Sequence, residues 1–183
     1  MPAEAFTLGR LEPTKSSVGG LRSVYIISSG YIAPSTFVYG TTTLSDAIAS
    51  NSGAATITAV KYDLKGTNSF DQTMTSSREN GTTFFEQKLA LQLKKLSAVS
   101  HQQIKLLAYS RPQMIVEDNN GNLFFAGLEQ GMDATGGTVV TGATMGDLSG
   151  YTIEFVGMEK IAANFLTGAI TTCLLYTSDA ADE

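Results

Sequence analysis

The sequence predicts a β-rich α+β protein, an antiparallel β-sandwich or open barrel with one flanking α-helix. Three observations carry that expectation. Charged residues make up only 16% of the 183 residues while Gly, Ser and Thr are abundant, a composition that suits turn-rich β-structure better than a helical bundle. Several stretches alternate apolar and polar residues with period two, two of them beside Asn-Gly turn signals. Only one stretch switches clearly to helical period. A chain of this length buries one sizeable core more comfortably than two. The expected organisation is an N-terminal arm over 1–17, a single domain over 18–166 and a flexible tail over 167–183.

The elements follow in order. "SSVGGLRSVYIISS" sets a turn at Gly19 and Gly20 before a strand through Val24, Tyr25, Ile26 and Ile27. Residues 30–53 show little pattern, and "TTTLSDAIAS" reads as a short helix capped by Thr43 or Ser45. "ATITAVKYDL" places Ile57 and Ala59 on one side and Val60 and Tyr62 on the other, a strand covered on both faces. "NSFDQTMTSSREN" continues as a polar strand anchored by Phe70 and Met74, ending at Asn80-Gly81. In "TTFFEQKLALQL", Phe85, Gln87, Leu89, Leu91 and Leu93 alternate with Phe84, Glu86, Lys88, Ala90 and Gln92, giving one buried and one wet face.

"SAVSHQQIKLLAYS" then changes period. Ser97 is the expected N-cap, Ile104, Leu107 and Ala108 fall at i, i+3 and i+4, and the helix ends before Pro112. "QMIVEDNNGNLFFAGL" is a hairpin around Asn120-Gly121, and "YTIEFVGMEK" alternates as a final strand. Between them "QGMDATGGTVVTGATMGDLSGY" packs six glycines into residues 130–151 and reads as a long inter-strand loop.

The formal net charge of −5 argues against a surface built to neutralise nucleic-acid phosphates. No segment approaches a membrane-spanning apolar length, and "MPAEAFTLGRLEPTK" lacks a signal pattern, so synthesis in a cytoplasm without export is expected. The tail "CLLYTSDAADE", residues 173–183, looks like a translated sequencing adapter and is set outside the fold. It holds the single cysteine, Cys173, so the remainder excludes disulfides and thiolate metal sites.

The Gly-rich stretch invites a phosphate-loop reading, yet between Gly131 and Gly150 there is no Lys or Arg to reach a phosphate, and a strand follows it in place of a helix. "VEDNNGN" falls in partial register with a calcium loop, but Gly127 stands where the bidentate Glu is required. Asp133 and Asp147 read as surface turn residues in preference to a cation pair. His101, the only histidine, sits among glutamines near the helix start, and any Ser-His-Asp or His-metal scheme depends on it. Adjacent Glu117 and Asp118 point to opposite faces of a strand, a poor arrangement for acid/base partnership. Lys94, Lys95 and Lys105 form a small basic group read as a solvated face or subunit contact. No catalytic, cofactor or metal residue is expected.

The ordered strings "SSRENGTTFFEQKLALQLKKL", "IKLLAYSRPQMIVEDNNGNLFFAGLEQG" and "GDLSGYTIEFVGMEK", with "SSVGGLRSVYI" before them, resemble a structural-protein family of tailed bacteriophages, especially those of gut Bacteroidetes, including crAss-like phages. The resemblance spans residues 18–166. It implies a tail-tube-like or neck-ring subunit: a β-sandwich or barrel flanked by a helix, whose copies join their sheets into a homo-oligomeric ring beside adjacent tail or neck proteins, with DNA passing through the lumen unbound. Residues 82–93 are then the ring-lining strand, 97–109 the flanking helix, and 131–150 a loop reaching a neighbour. The inter-subunit candidates are Phe85, Gln87, Leu89, Met132, Asp133, Thr138, Val139, Met145 and Asp147. The alternatives are a capsid decoration or adhesion module and, from another class, a small hydrolase or metal enzyme using His101.

Overall fold

The computed structural model describes residues 15–28, 30–40, 47–51, 57–167 and 175–177. Its strands are β1 (Leu21–Ile27), β2 (Phe37–Tyr39), β3 (Ile48–Asn51), β4 (Thr58–Asp63), β5 (Ser69–Ser77), β6 (Thr82–Lys94), β7 (Met114–Asp118), β8 (Leu123–Ala126), β9 (Asp133–Val140), β10 (Gly150–Glu159), β11 (Asn164–Leu166) and β12 (Leu175–Thr177), with one α-helix, α1 (Ala98–Tyr109). They form a large sheet in the order β12-β4-β1-β7-β8-β11-β3-β2 and a small sheet in the order β5-β6-β10-β9. All pairings are antiparallel except β11 with β3 and β12 with β4. The expected β-rich α+β sandwich is the observed architecture.

Strand alternation builds two cores from the large sheet. Val24 and Ile26 of β1, with Met114 and Val116 of β7, turn toward the small sheet and meet Leu89, Leu91, Tyr151, Ile153 and Phe155. Tyr25 and Ile27, with Ile115 and Phe125, turn the other way and pack with Ile32, Phe37, Ile48, Ile57 and Leu166. This explains the unbroken apolar run Val24–Ile27: a strand covered on both faces loses the polar half of its alternation. Each fully buried Leu, Ile or Phe contributes roughly 2 kcal/mol of burial free energy, so both cores matter to stability.

The local signals hold where hydrogen bonds fix them. Both Asn-Gly hairpins form, joining β5 to β6 and β7 to β8, with Gly81 and Gly121 at positive φ. The Ser97 hydroxyl accepts from the Ser100 N–H at 3.1 Å and caps α1. The helix stops at Ser110, whose N–H donates to the Leu107 carbonyl. Ile104 and Leu107 are half-buried against the inter-sheet core, while Ala108, expected on the same stripe, is exposed.

Several expectations are corrected. Residues 48–50, expected at the end of a short helix, belong to strand β3: Ile48 is buried completely, and tertiary burial outweighs the helical preference of its alanine neighbours. The proposed caps Thr43 and Ser45 lie outside the described residues, as do residues 1–14 of the expected arm. Met74 is exposed and belongs to neither core, so it anchors nothing. Leu175–Thr177, expected outside the fold, pairs in parallel with β4; Cys173 lies outside the described residues.

Candidate inter-subunit surface

The Gly-rich stretch is mostly strand. β9 pairs with β10 from Val140 opposite Gly150 to Asp133 opposite Val156, with one register shift beside Phe155. Its glycines fit close backbone approaches: a Cβ on Gly137 would lie 2.6 Å from the Thr152 carbonyl oxygen, and one on Gly150 would strike the Leu93 carbonyl. The long loop expected over 131–150 therefore shrinks to residues 141–149. That remainder is tied internally, since the Asp147 carboxylate accepts the Ala143 and Thr144 N–H groups at 2.9 and 2.8 Å. Those backbone donors, Thr144 first, hold the Asp147 carboxyl below its usual range.

The small sheet ends in two strands, β5 and β9, each paired on one side only among the described residues. β5 is almost wholly exposed, and Thr135, Gly136, Gly137, Thr138 and Val139 of β9 are exposed as well. The registers place Ser69, Asp71, Thr73 and Thr75 of β5 beside Ala90, Lys88, Glu86 and Phe84 of β6, and Thr152, Glu154, Val156 and Met158 of β10 share that outer face. Thr138 joins it through a hydroxyl contact with Thr152 at 2.5 Å. The face is polar, and of these residues Asp71, Glu86 and Glu154 are acidic while Lys88 alone is basic. Lys88 pairs with Glu154 at 3.0 Å, so no basic cluster forms on it.

The nine expected contact residues divide. Val139 and Met145 project into solvent, Met145 fully so, and Thr138 and Asp147 are exposed. Phe85 and Asp133 are half-buried. Gln87, Leu89 and Met132 are buried inside this chain, where a neighbouring copy does not reach them. Alternation correctly put Gln87 and Leu89 on the covered face; the error was to give that cover to another subunit when the large sheet supplies it.

The turn from β8 to β9 was missed by sequence reasoning. The buried Gln87 side chain accepts the Gly127 N–H at 2.9 Å. Gln113, also buried, donates to the Leu128 carbonyl at 2.7 Å and exchanges two bonds with Ile32. The buried Glu159 carboxylate accepts the Gln130 N–H at 2.8 Å and the Glu129 N–H at 3.1 Å. Arg111 forks onto Asp133 with two bonds of 2.6 Å, which holds the Asp133 carboxyl below its usual range. Together these bonds fix where the chain crosses from one sheet to the other. A signal existed only in the isolated glutamines within apolar runs.

The remaining candidates have local partners. Asp118 accepts from the backbone and side chains of Asn120 and Asn122. Burial alone would raise its carboxyl, but those bonds outweigh it and hold it low. Asn119 and Asn120 bind Gly19 and Val18, so the turn read as a partial calcium loop clasps the start of β1. Glu117 points to the other face and accepts from Ser23 at 2.5 Å and Tyr25 at 3.2 Å. His101 is exposed, its ring 6.2 Å from that of Tyr151. Among the described residues, no three His, Cys, Asp or Glu side chains gather as a metal-binding group, and no helix is long and apolar enough to cross a membrane. A groove of about 300 Å³ runs between α1 and β9, lined by Ile104, Leu107, Ala134, Val139, Tyr151 and Ile153.

Comparison with protein-family models, curated proteins and solved structures finds no match.

Proposed function

We propose that this chain is a non-enzymatic virion subunit of a tailed phage, a tail-tube-like or neck-ring protein that assembles through the two open edges of its small sheet. The observation that carries the reading is the pair of single-sided strands β5 and β9 at opposite ends of a four-stranded antiparallel sheet. Unpaired strand edges offer rows of N–H and C=O groups that tend to recruit another chain. Because four strands alternate in direction, β9 of one copy runs antiparallel to β5 of the next. Head-to-tail joining therefore continues the same ladder, and rotation closes it into a ring. The polar outer face would line the lumen, and its scarcity of positive charge suits DNA that passes without being held. The phage resemblance of residues 18–166 supports the same reading and supplies the compartment.

Electron microscopy and mass photometry of the purified chain at rising concentration test the proposal. Closed rings or stacked tubes are the expected result. Monomers at every concentration, together with co-sedimentation with capsids and not tails, would favour a decoration module instead.

A further inference from the structure

We propose that Asn80-Gly81 is a site of spontaneous backbone-assisted deamidation, and that Asn120-Gly121, the same dipeptide in the same protein, is protected from it by its hydrogen bonds. In this reaction the Gly81 amide nitrogen attacks the Asn80 side-chain carbonyl carbon, forming a C–N bond and a succinimide while ammonia leaves and carries away the side-chain nitrogen. Water then opens the ring at either carbonyl, giving aspartate or isoaspartate. No oxidant, reductant or cofactor is needed.

Two conditions govern the rate: the attacking N–H must be available, and the side chain must rotate to meet it. At the β7–β8 turn both are obstructed. The Gly121 N–H donates to the Asp118 carbonyl at 3.2 Å. The Asn120 side chain donates to the Val18 carbonyl at 2.8 Å and to the Asp118 carboxylate at 3.1 Å, and accepts the Val18 N–H at 2.8 Å. Attack there requires breaking these bonds and releasing the start of β1. At the β5–β6 turn neither obstruction exists: among the described residues the Asn80 side chain and the Gly81 N–H have no hydrogen-bond partner, and the only tie is from the Asn80 backbone N–H to Ser77 Oγ at 3.3 Å. Both residues are exposed in the turn of the β5–β6 hairpin.

The product changes the turn in two ways. It gains a negative charge, and the isoaspartate form inserts an extra atom into the backbone between β5 and β6, where turn length sets strand register. β5 is one of the two open edges, so the modification falls on the hairpin that carries it.

The test is to incubate the folded protein in mildly alkaline buffer and follow both peptides by mass spectrometry, with the urea-unfolded chain as reference. Asn80 should convert faster than Asn120 by about tenfold or more, the factor that one or two net hydrogen bonds supply. In urea the two rates should converge, and in Asp118→Ala the Asn120 rate should rise toward that of Asn80. Asn80→Gln should abolish the first signal. Equal folded rates, a faster Asn120, or a folded ratio no larger than that in urea overturns the proposal. None of these readouts depends on ring assembly.

Discussion

Glu159 shows how one buried side chain sets both geometry and pH response. Burial pushes its carboxyl above the ordinary glutamate value of 4.5, although the Gln130 and Glu129 N–H groups pull it back and Lys160 helps. An acid raised in the folded state binds protons more readily folded than unfolded, so its contribution to stability is fully present below the ordinary value and is lost as pH rises through the folded one. Glu159→Gln removes the charge while keeping an acceptor. It should flatten that part of the stability profile from the ordinary value upward, as measured by urea unfolding across pH. Glu159→Ala strips the two N–H groups of their acceptor and should cost about 2 kcal/mol. The glycines of the β9–β10 hairpin give a second residue-scale contrast. A Cβ on Gly150 meets the Leu93 backbone, whereas one on Gly136 meets nothing within 4 Å. Gly150→Ala should cost roughly 3 kcal/mol or more, because neither backbone can yield cheaply. Gly136→Ala should change stability by less than about 1 kcal/mol. Equal thermal shifts in the two variants would mean that the close approach at Gly150 is not a constraint.

At the scale of elements, legibility followed the range of the interactions. Ser97, Asn80-Gly81 and Asn120-Gly121 act on neighbours a few residues away, so the helix start and both hairpins could be read directly. The alternation of Phe85 to Leu93 gave the buried face of β6 for the same reason. β9 was not readable as a strand, since the paired glycines of Thr-Gly-Gly-Thr interrupt any apolar alternation, and its pairing depends on the close backbone of β10. Ile48–Asn51 and Leu175–Thr177 are short strands made by distant partners and carry no local signal. Gln87 and Glu159 were unreadable as turn acceptors because the N–H groups they bind lie in a segment brought near only by folding. The edge character of β9 is where element and function meet. Val139 is exposed on that edge, and a charged side chain there is a common means of blocking strand recruitment. Val139→Lys should abolish assembly while shifting monomer stability by no more than about 0.5 kcal/mol. Rings that persist undiminished in this variant would remove β9 from the interface.

At the scale of the whole molecule, the two sheets divide the work. The large sheet encloses one core on its own and shares the second with the small sheet, so the small sheet keeps a polar outer face and two open edges after both cores are satisfied. Among the described residues β2 and β12 at the ends of the large sheet are also paired on one side only, but each spans 3 residues, whereas β5 and β9 offer edges of 9 and 8 residues. Hydrogen exchange compared between dilute and assembled protein tests assembly through these longer edges most directly. The account predicts that β5 and β9 amides become protected together on assembly, while those of β6 and β10, already paired on both sides, change little. Assemblies in which β5 and β9 exchange as fast as they do in the monomer would contradict it.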